Sequence, residues 1–312
     1  RVARGRTRRI AALPPQTLGH ALGEATRRLA VRDRDEARYD ATLLLAHVLR
    51  RDPAWLLAHD DAILSHHERE RFEGALVRRE RGEPVPYIIG TAGFYGRTFA
   101  VDARVLVPRP ETELAIDIVL AHVRGSNATP RLCDVGTGSG VIALTLALEL
   151  PDANVTAIDI SEAALAVARG NAAAFGIADS VRFVRGDGLQ ALDDGERFTC
   201  VVANLPYVRT ADLAPAPDPT AFEPRLALDG GANGLDAYRA LLLVAPDVLA
   251  PGGLLVMEAG PDTIPPLAAL ARLAFPNARV SSVRDLAALE RFVVVAEADP
   301  IRAGGVSAVT EL

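Results

Sequence analysis

Leu132-Cys133-Asp134-Val135-Gly136-Thr137-Gly138-Ser139-Gly140 runs from an apolar strand through a glycine-rich turn into the apolar, helix-length segment Val141 to Leu150. Glycines in such a turn let a ligand approach the backbone, and the N–H groups opening the next helix can hold a polar or anionic group. Dinucleotide folds use a related turn, so the next acidic residue decides more. Asp159 follows a second strand in Thr156-Ala157-Ile158-Asp159-Ile160, about twenty residues on, where a carboxylate accepts both hydroxyls of a ribose.

Outward from this turn the chain alternates strands and helices. Strands are expected at 131–135, 155–158, 181–184, 198–203, 253–257, 279–282 and 291–296, with helices at 112–123, 141–150, 162–175, 236–249 and 263–273. That alternation implies an α/β fold, a mostly parallel seven-stranded sheet covered on both faces. Upstream, Leu18, Ala21, Leu22, Ala25 and Leu29 recur at helical spacing, as do Ala41, Leu44, Leu45, Val48 and Leu49, which predicts a small helical bundle with Trp55 as the plug of its core. Four segments are therefore expected: a flexible basic start at 1–16, a helical domain at 17–83, a β-hairpin linker at 84–106 and a catalytic α/β domain at 107–312. The loop from Val208 to Gly234 is long and rich in Pro and Asp, a length without evident secondary structure that points to function.

Composition removes several classes. The 312 residues are 49% hydrophobic with a formal charge of -6, which fits a folded soluble protein and argues against a broadly basic nucleic-acid binder. Cys133 and Cys200 each sit in an apolar run and read as packing groups of a reducing compartment. No apolar stretch reaches the length of a membrane span, and no apolar signal segment follows the arginines of residues 1–9. No His or Cys cluster has metal-site spacing, so no metal is expected. A cytoplasmic monomer without a stable nucleic-acid or membrane partner is the expectation.

Both NAD and S-adenosyl-L-methionine carry the ribose that Asp159 would bind. Three features favour the second. Asp134 stands just before the turn, where a carboxylate attracts a cationic sulfonium and repels a pyrophosphate. Gly186-Asp187-Gly188 ends a third strand at the same edge, where Asp187 can bind the exocyclic amine of adenine. Asn204-Leu205-Pro206-Tyr207 closes the fourth strand. The Asn204 side-chain oxygen and the Leu205 carbonyl can each accept one N–H of a planar NH2 group, Leu205 being held extended by Pro206, and Tyr207 can stack on the plane. Two acceptors and a ring orient a weakly nucleophilic nitrogen for methyl transfer without a Ser, Cys or His nucleophile. The catalytic candidates are thus Asn204, Leu205, Pro206 and Tyr207. The cofactor candidates are Asp134, Gly136, Thr137, Gly138, Gly140, Asp159, Ile160, Asp187, Gly188 and Asn204.

These pieces, with Arg81-Gly82-Glu83-Pro84, Val107-Pro108-Arg109-Pro110-Glu111-Thr112-Glu113 and Phe222-Glu223-Pro224-Arg225-Leu226-Ala227-Leu228-Asp229-Gly230-Gly231, resemble the peptide chain release factor glutamine methyltransferases, the family also called HemK or PrmC, from roughly Leu18 to Ala298. The resemblance implies a Rossmann-like class I methyltransferase that moves a methyl group from S-adenosyl-L-methionine, leaving S-adenosyl-L-homocysteine. Its acceptor would be the side-chain amide nitrogen of the glutamine in the Gly-Gly-Gln motif of bacterial-type release factors, a modification of translation termination. By the same match the helical domain and hairpin grip the release factor. Arg109, Glu113, Phe222, Glu223 and Pro224 are the candidates for substrate binding or bracing, Arg109 as a brace between two prolines. The family's usual second proline is Leu205 here, and Asn-Leu-Pro-Tyr also occurs in rRNA adenine dimethyltransferases. An adenine N6 methyltransferase on rRNA or DNA therefore stays open, as does a noncatalytic scaffold that has kept the fold.

Overall fold

A computed structural model describes residues 16–30, 34–124 and 128–298. The expected flexible start, apart from Gln16, lies outside the described residues. The chain divides into two compact units, the first ending at Ile89 and the second beginning at Gly90.

The first unit is helical: α1 (Leu18–Leu29), α2 (Arg34–Leu49), α3 (Pro53–Ala58), α4 (His66–Glu80) and α5 (Val85–Ile89). Short polar residues set the helix starts. Asp52 accepts from the Ala54 N–H with Pro53 in the first turn, and Ser65 and Glu68 form a reciprocal capping box on α4. Leu18, Ala25, Leu44, Leu45, Leu56 and Leu76 are buried together. Trp55 is not the expected plug. It lies at the edge of this cluster, stacked on His59 with ring centroids 4.2 Å apart and with Arg51 over its ring, because leucines at helical spacing already fill the centre. The β-prone residues after Pro84 also behave differently from expectation. Val85 and Ile88 enter the helical core, and the Pro84 carbonyl accepts from the Tyr87 and Ile88 N–H groups, so tertiary burial overrides strand propensity and makes α5.

The expected linker at 84–106 is therefore not one piece. Its second half is the hairpin of β1 (Thr91–Phe94) and β2 (Arg97–Ala100), which packs in the second unit: Phe94 and Phe99 are buried with Ile116, Val119 and Leu120 of α6 (Glu113–Val123). The hairpin turn uses Tyr95 and Gly96, both at positive φ, the geometry that a two-residue turn demands. Tyr95 holds it through an N–H donated to Glu113 Oε1 at 2.7 Å and a hydroxyl donated to Asp117 at 2.8 Å.

The rest follows as β3 (Arg131–Val135), α7 (Val141–Glu149), β4 (Asn154–Asp159), α8 (Glu162–Ala174), β5 (Val181–Arg185), β6 (Phe198–Asn204), α9 (Arg225–Leu228), α10 (Asp236–Val248), β7 (Leu249–Glu258), α11 (Ile264–Ala274), β8 (Arg279–Arg284) and β9 (Glu290–Ala296). The sheet order is β5-β4-β3-β6-β7-β9-β8, and every neighbouring pair is parallel except the two that β9 makes with β7 and β8. Alternation along β6 sends Cys200 and Val202 to the face covered by α6, α7 and the hairpin, and Val201 and Ala203 to the face covered by α10 and α11. Cys133 and Cys200, on adjacent strands, consequently join opposite cores, both as free, buried thiols whose pKa burial pushes up, to about 12 for Cys200. No helix among the described residues is long and apolar enough to cross a membrane.

Phe99 is fully buried and meets Phe175 edge-on at 5.0 Å. Truncating it in the full chain, Phe99→Ala, should cost about 3–5 kcal/mol in urea unfolding; a loss below about 1 kcal/mol would show that the hairpin is not part of the second unit's core.

Candidate active site

A pocket of ≈ 350 Å³ opens at the carboxyl ends of β3, β4 and β6, the edge where open α/β sheets bind ligands. Of the sequence candidates, Gly136, Thr137, Gly138, Asp159, Ile160, Asp187, Gly188, Asn204, Leu205, Pro206, Arg109 and Pro224 line it. Asp134, Gly140, Tyr207, Glu113, Phe222 and Glu223 do not. Each of these six has another place.

Asp134 is buried beneath the turn. Its Oδ2 accepts from the Thr137 hydroxyl at 2.6 Å and from the Ala143 N–H at 3.1 Å, latching the turn to α7, while its Oδ1 has no partner. Burial raises its pKa to about 7, with Thr137 and Ala143 opposing and Asp159 adding to the rise. Gly140 packs the turn and faces no ligand: it has φ +84°, and a Cβ there would lie 3.0 Å from Leu144 and 3.1 Å from Ala168. Glu113 holds the hairpin turn through Tyr95. Tyr207 lies half-buried against Gly260 and the α10–α11 side of the sheet, and its pKa is pushed to about 12, by burial first and then by Glu258.

The turn itself differs from the anion cradle its sequence suggests. The N–H groups of Gly136 and Thr137 both donate to the Ile158 carbonyl, that of Gly138 to Asp159 Oδ2 and that of Gly140 to the Thr137 carbonyl. With Ala143 held by Asp134, five donors of the turn and first helical turn are used inside the protein, which leaves a poor site for a pyrophosphate. At Gly138, φ +56°, a Cβ would meet nothing within 4 Å, so the turn leaves open space. Asp159 has one bond on each oxygen, from Gly138 and from the Ser161 N–H at 2.8 Å, and each oxygen keeps a lone pair for a hydroxyl. Burial raises its pKa. Asp187 precedes a 3-10 turn at Gly188–Ala191 without capping it, and Ile160 stands 46% exposed beside the opening. Open space, the free lone pairs of the Asp159 carboxylate and the apolar flank at Ile160 together fit a ribose-bearing ligand.

Thr112 and Tyr238, neither of them a sequence candidate, fix the tetrapeptide. Asn204 Nδ2 donates to Thr112 Oγ1 at 3.2 Å, which turns the amide oxygen the other way as the free acceptor of that side chain. The Leu205 N–H donates to the Tyr238 hydroxyl at 3.2 Å, and that hydroxyl lies against both the Leu205 carbonyl, at 3.2 Å, and the Glu258 carbonyl. One hydroxyl hydrogen cannot serve two carbonyls at once, so Leu205 O keeps acceptor capacity. The Leu205 side chain lies over the turn, its Cδ2 3.0 Å from where a Gly136 Cβ would sit. Glu258 ends β7 in register with Asn204 and is 2% exposed. Its signal was available in the sequence, a carboxylate ending an apolar strand as Asp159 does. Tyr238, buried in an amphipathic helix, gave none.

The long loop closes over this edge with little regular structure: 3-10 turns at Thr210–Asp212 and Pro219–Phe222, then α9. Asp229 organises it, accepting from Thr210 Oγ1 at 2.6 Å, the Gly231 N–H at 3.1 Å and Arg225 at 2.9 Å. Phe222 ends the second turn, and Glu223 after it is buried, accepting from the Val107 N–H at 3.2 Å and from Arg109 at 2.6 Å. Gly230 packs edge-on against the tetrapeptide; a Cβ there would lie 2.5 Å from the Pro206 carbonyl. Among the described residues no group of three or more His, Cys, Asp or Glu side chains could hold a metal ion.

The chain is similar to known proteins along most of its length. Residues 20–90 match the model described as the PrmC N-terminal domain, and residues 126–280 match a methyltransferase domain. The chain is 44% identical over 255 residues to a release factor glutamine methyltransferase of Bordetella pertussis, covering 81% of this chain and 93% of the relative. It is 42% identical over 274 residues to one of Cereibacter sphaeroides, covering 88% and 96%. A solved T. thermophilus 16S rRNA methyltransferase in complex with AdoMet and guanosine shares the fold, with a TM-score of 0.50 at 19% identity over 66% of this chain and 49% of that one.

The Arg109–Glu223 pair gives a pH-dependent test. Burial raises the Glu223 pKa and Arg109 opposes that rise, so Arg109→Ala lifts it further. A carboxylate whose folded pKa is raised loses stability as pH climbs through that pKa. Arg109→Ala should therefore destabilise the chain by about 2 kcal/mol at pH 8, below the range for a fully buried pair because Arg109 is partly solvated, and by clearly less at pH 5. Equal losses in urea unfolding at both pH values would contradict the pairing.

Proposed function

Because this chain belongs to the release factor glutamine methyltransferase family, we propose that it methylates the side-chain amide nitrogen of the glutamine in the Gly-Gly-Gln motif of a peptide chain release factor. S-Adenosyl-L-methionine, which supplies an electrophilic methyl group, is the donor, and S-adenosyl-L-homocysteine the product. The observation that carries the reading is the polarity of Asn204. Its amide nitrogen is turned toward Thr112, so the oxygen is the end it offers the substrate.

A carboxamide nitrogen is a weak nucleophile because its lone pair is delocalised into the carbonyl. Asn204 Oδ1 and the Leu205 carbonyl answer this by taking one N–H each, which fixes the amide plane and aims the nitrogen at the methyl group. As the nitrogen bonds to carbon it gains positive charge and its N–H groups become stronger donors. The two hydrogen bonds therefore tighten toward the transition state, the requirement for raising rate and not merely binding. The amide keeps both N–H protons while its nitrogen bonds to the methyl carbon and the S–C bonding pair stays with the departing sulfur; the N-methylated cation then loses one proton to solvent water. Asp159 is the acceptor for ribose hydroxyls, Asp187 for the adenine amine, and Ile160 an apolar wall. The acceptor pair alone would also suit an exocyclic amine of adenine; family membership favours the glutamine amide. The helical unit, matched by the family's N-terminal model, is assigned recognition of the release factor body.

Incubation with radiolabelled cofactor and an intact release factor, followed by tryptic mapping, should place the label on the Gly-Gly-Gln peptide; label confined to RNA or DNA would overturn the assignment. Asn204→Ala should lower kcat by about a hundredfold or more while calorimetric cofactor affinity stays within a few-fold. Asp159→Ala should do the reverse, weakening cofactor binding by about 10- to 100-fold, the range for lost hydrogen bonds to a charged group.

A further inference from the structure

Glu258 is a buried carboxylate that the mechanism above does not use. It is 2% exposed, ends β7 directly beside Asn204 and shares the α6 face of the sheet with it. Parallel strands in register point paired side chains to the same side, so carboxylate and amide are neighbours. The Thr112 hydroxyl and the Asn204 amide stand near enough to favour its charged form, yet neither carboxylate oxygen has a partner in full hydrogen-bond geometry. A buried acid without a proper partner is costly, and its position next to the substrate-facing amide gives a reason to keep it.

That reason is polarity. A carboxamide has two orientations that swap its oxygen and its nitrogen. Thr112 alone cannot choose between them, because a hydroxyl both donates and accepts. An ionised carboxylate only accepts. Both the Thr112 hydroxyl and the Asn204 amide favour the charged carboxylate, and a hydroxyl hydrogen drawn toward it leaves Thr112 Oγ1 to accept from Asn204 Nδ2, the bond present here. We propose that Glu258, acting through Thr112, is the positioning residue that fixes the orientation of the Asn204 amide and so presents Oδ1 to the substrate NH2. The proposal rests on the functional reading above. It assigns Glu258 no contact with substrate.

The orientation then depends on the charge of Glu258. Glu111 before α6, Arg291 on β9, Tyr207 after β6 and Tyr238 on α10 are the ionisable groups that face it. Arg291 is itself held by Asp285 at 2.9 Å and lies 3.8 Å from Glu111, so its charge is shared. Burial, the largest influence, raises the Glu258 pKa to about 7. Below that pH the protonated acid can donate, Thr112 can reverse, and the amide loses its bias.

Two measurements test this, one of them independent of activity. In the full chain with the cofactor bound and asparagine labelled with 15N, the Asn204 side-chain NH2 pair, assigned by its loss in Asn204→Ala, should shift with a midpoint near pH 7 and stop shifting in Glu258→Gln. In release factor methylation, Glu258→Gln should lower kcat about tenfold, the factor for one weak charge-assisted hydrogen bond, with KM little changed and the acid limb of the pH profile flattened. Thr112→Val should give the same kcat loss, and it serves if Glu258→Gln folds poorly. An Asn204 signal that does not titrate, or a Glu258→Gln enzyme within about twofold of wild-type kcat with its acid limb intact, overturns the proposal. A wild-type chain that labels no glutamine sinks the functional reading instead, and the NH2 titration still decides the role of Glu258.

Discussion

Parallel pairing in register brings the ends of β3, β4, β6 and β7 to one edge, and the chemistry of the site is what those strands carry in their last residues. Val135 pairs with Ile158 on one side and with Ala203 on the other, and Asn204 pairs with Glu258. A one-residue slip would exchange the two faces of a strand and send Asn204 into the opposite core. The cost of burying that amide without a partner opposes the slip, since the long apolar runs of these strands, buried on both faces, do not tell one face from the other. They also hold acids where water is scarce: burial raises the proton affinity of Asp134, Asp159 and Glu258 alike. The acceptors that face the crevice are the Asp159 carboxylate, the Asn204 amide oxygen and the Leu205 carbonyl.

The glycine turn illustrates how one local sequence serves two chemistries. A strand, a glycine-rich loop and a helix start can cradle phosphates when their N–H groups face outward. Here the same groups point back at Ile158, Asp159 and Thr137, and the acid just upstream latches the helix. Asp134 thus acts from below, as a fastener of the loop, whereas its sequence position suggested an electrostatic contact with the ligand.

Much of this was legible before any coordinates. The strands, the glycine turn, Asp159, Asp187 and the tetrapeptide could be read because periodicity and strand ends are local signals, and the sheet order then brings them to one edge. Trp55, α5 and the division of the hairpin segment were not, since each depends on which core the residue finally enters. Tyr238 was invisible for a related reason: a tyrosine on an amphipathic helix gives no sign that its hydroxyl will reach the backbone of Leu205. Gly140 carries a motif signal but admits a close helix contact, and Glu113 takes the bracing part of its expectation by holding a hairpin turn. Glu258 had a readable signal that lacked its context, because the pairing of β6 with β7 spans a long loop and a helix.

The opposite facing of the two cysteines has a practical consequence. Each thiol is sealed in a different hydrophobic layer and held in its unreactive protonated form, and thiol-directed reagents attack the accessible thiolate. The native fold is in effect already blank toward maleimide chemistry. A single cysteine placed on the exposed long loop or on the helical unit would accept a fluorophore or spin label without first replacing either native one, opening distance measurements on the working enzyme.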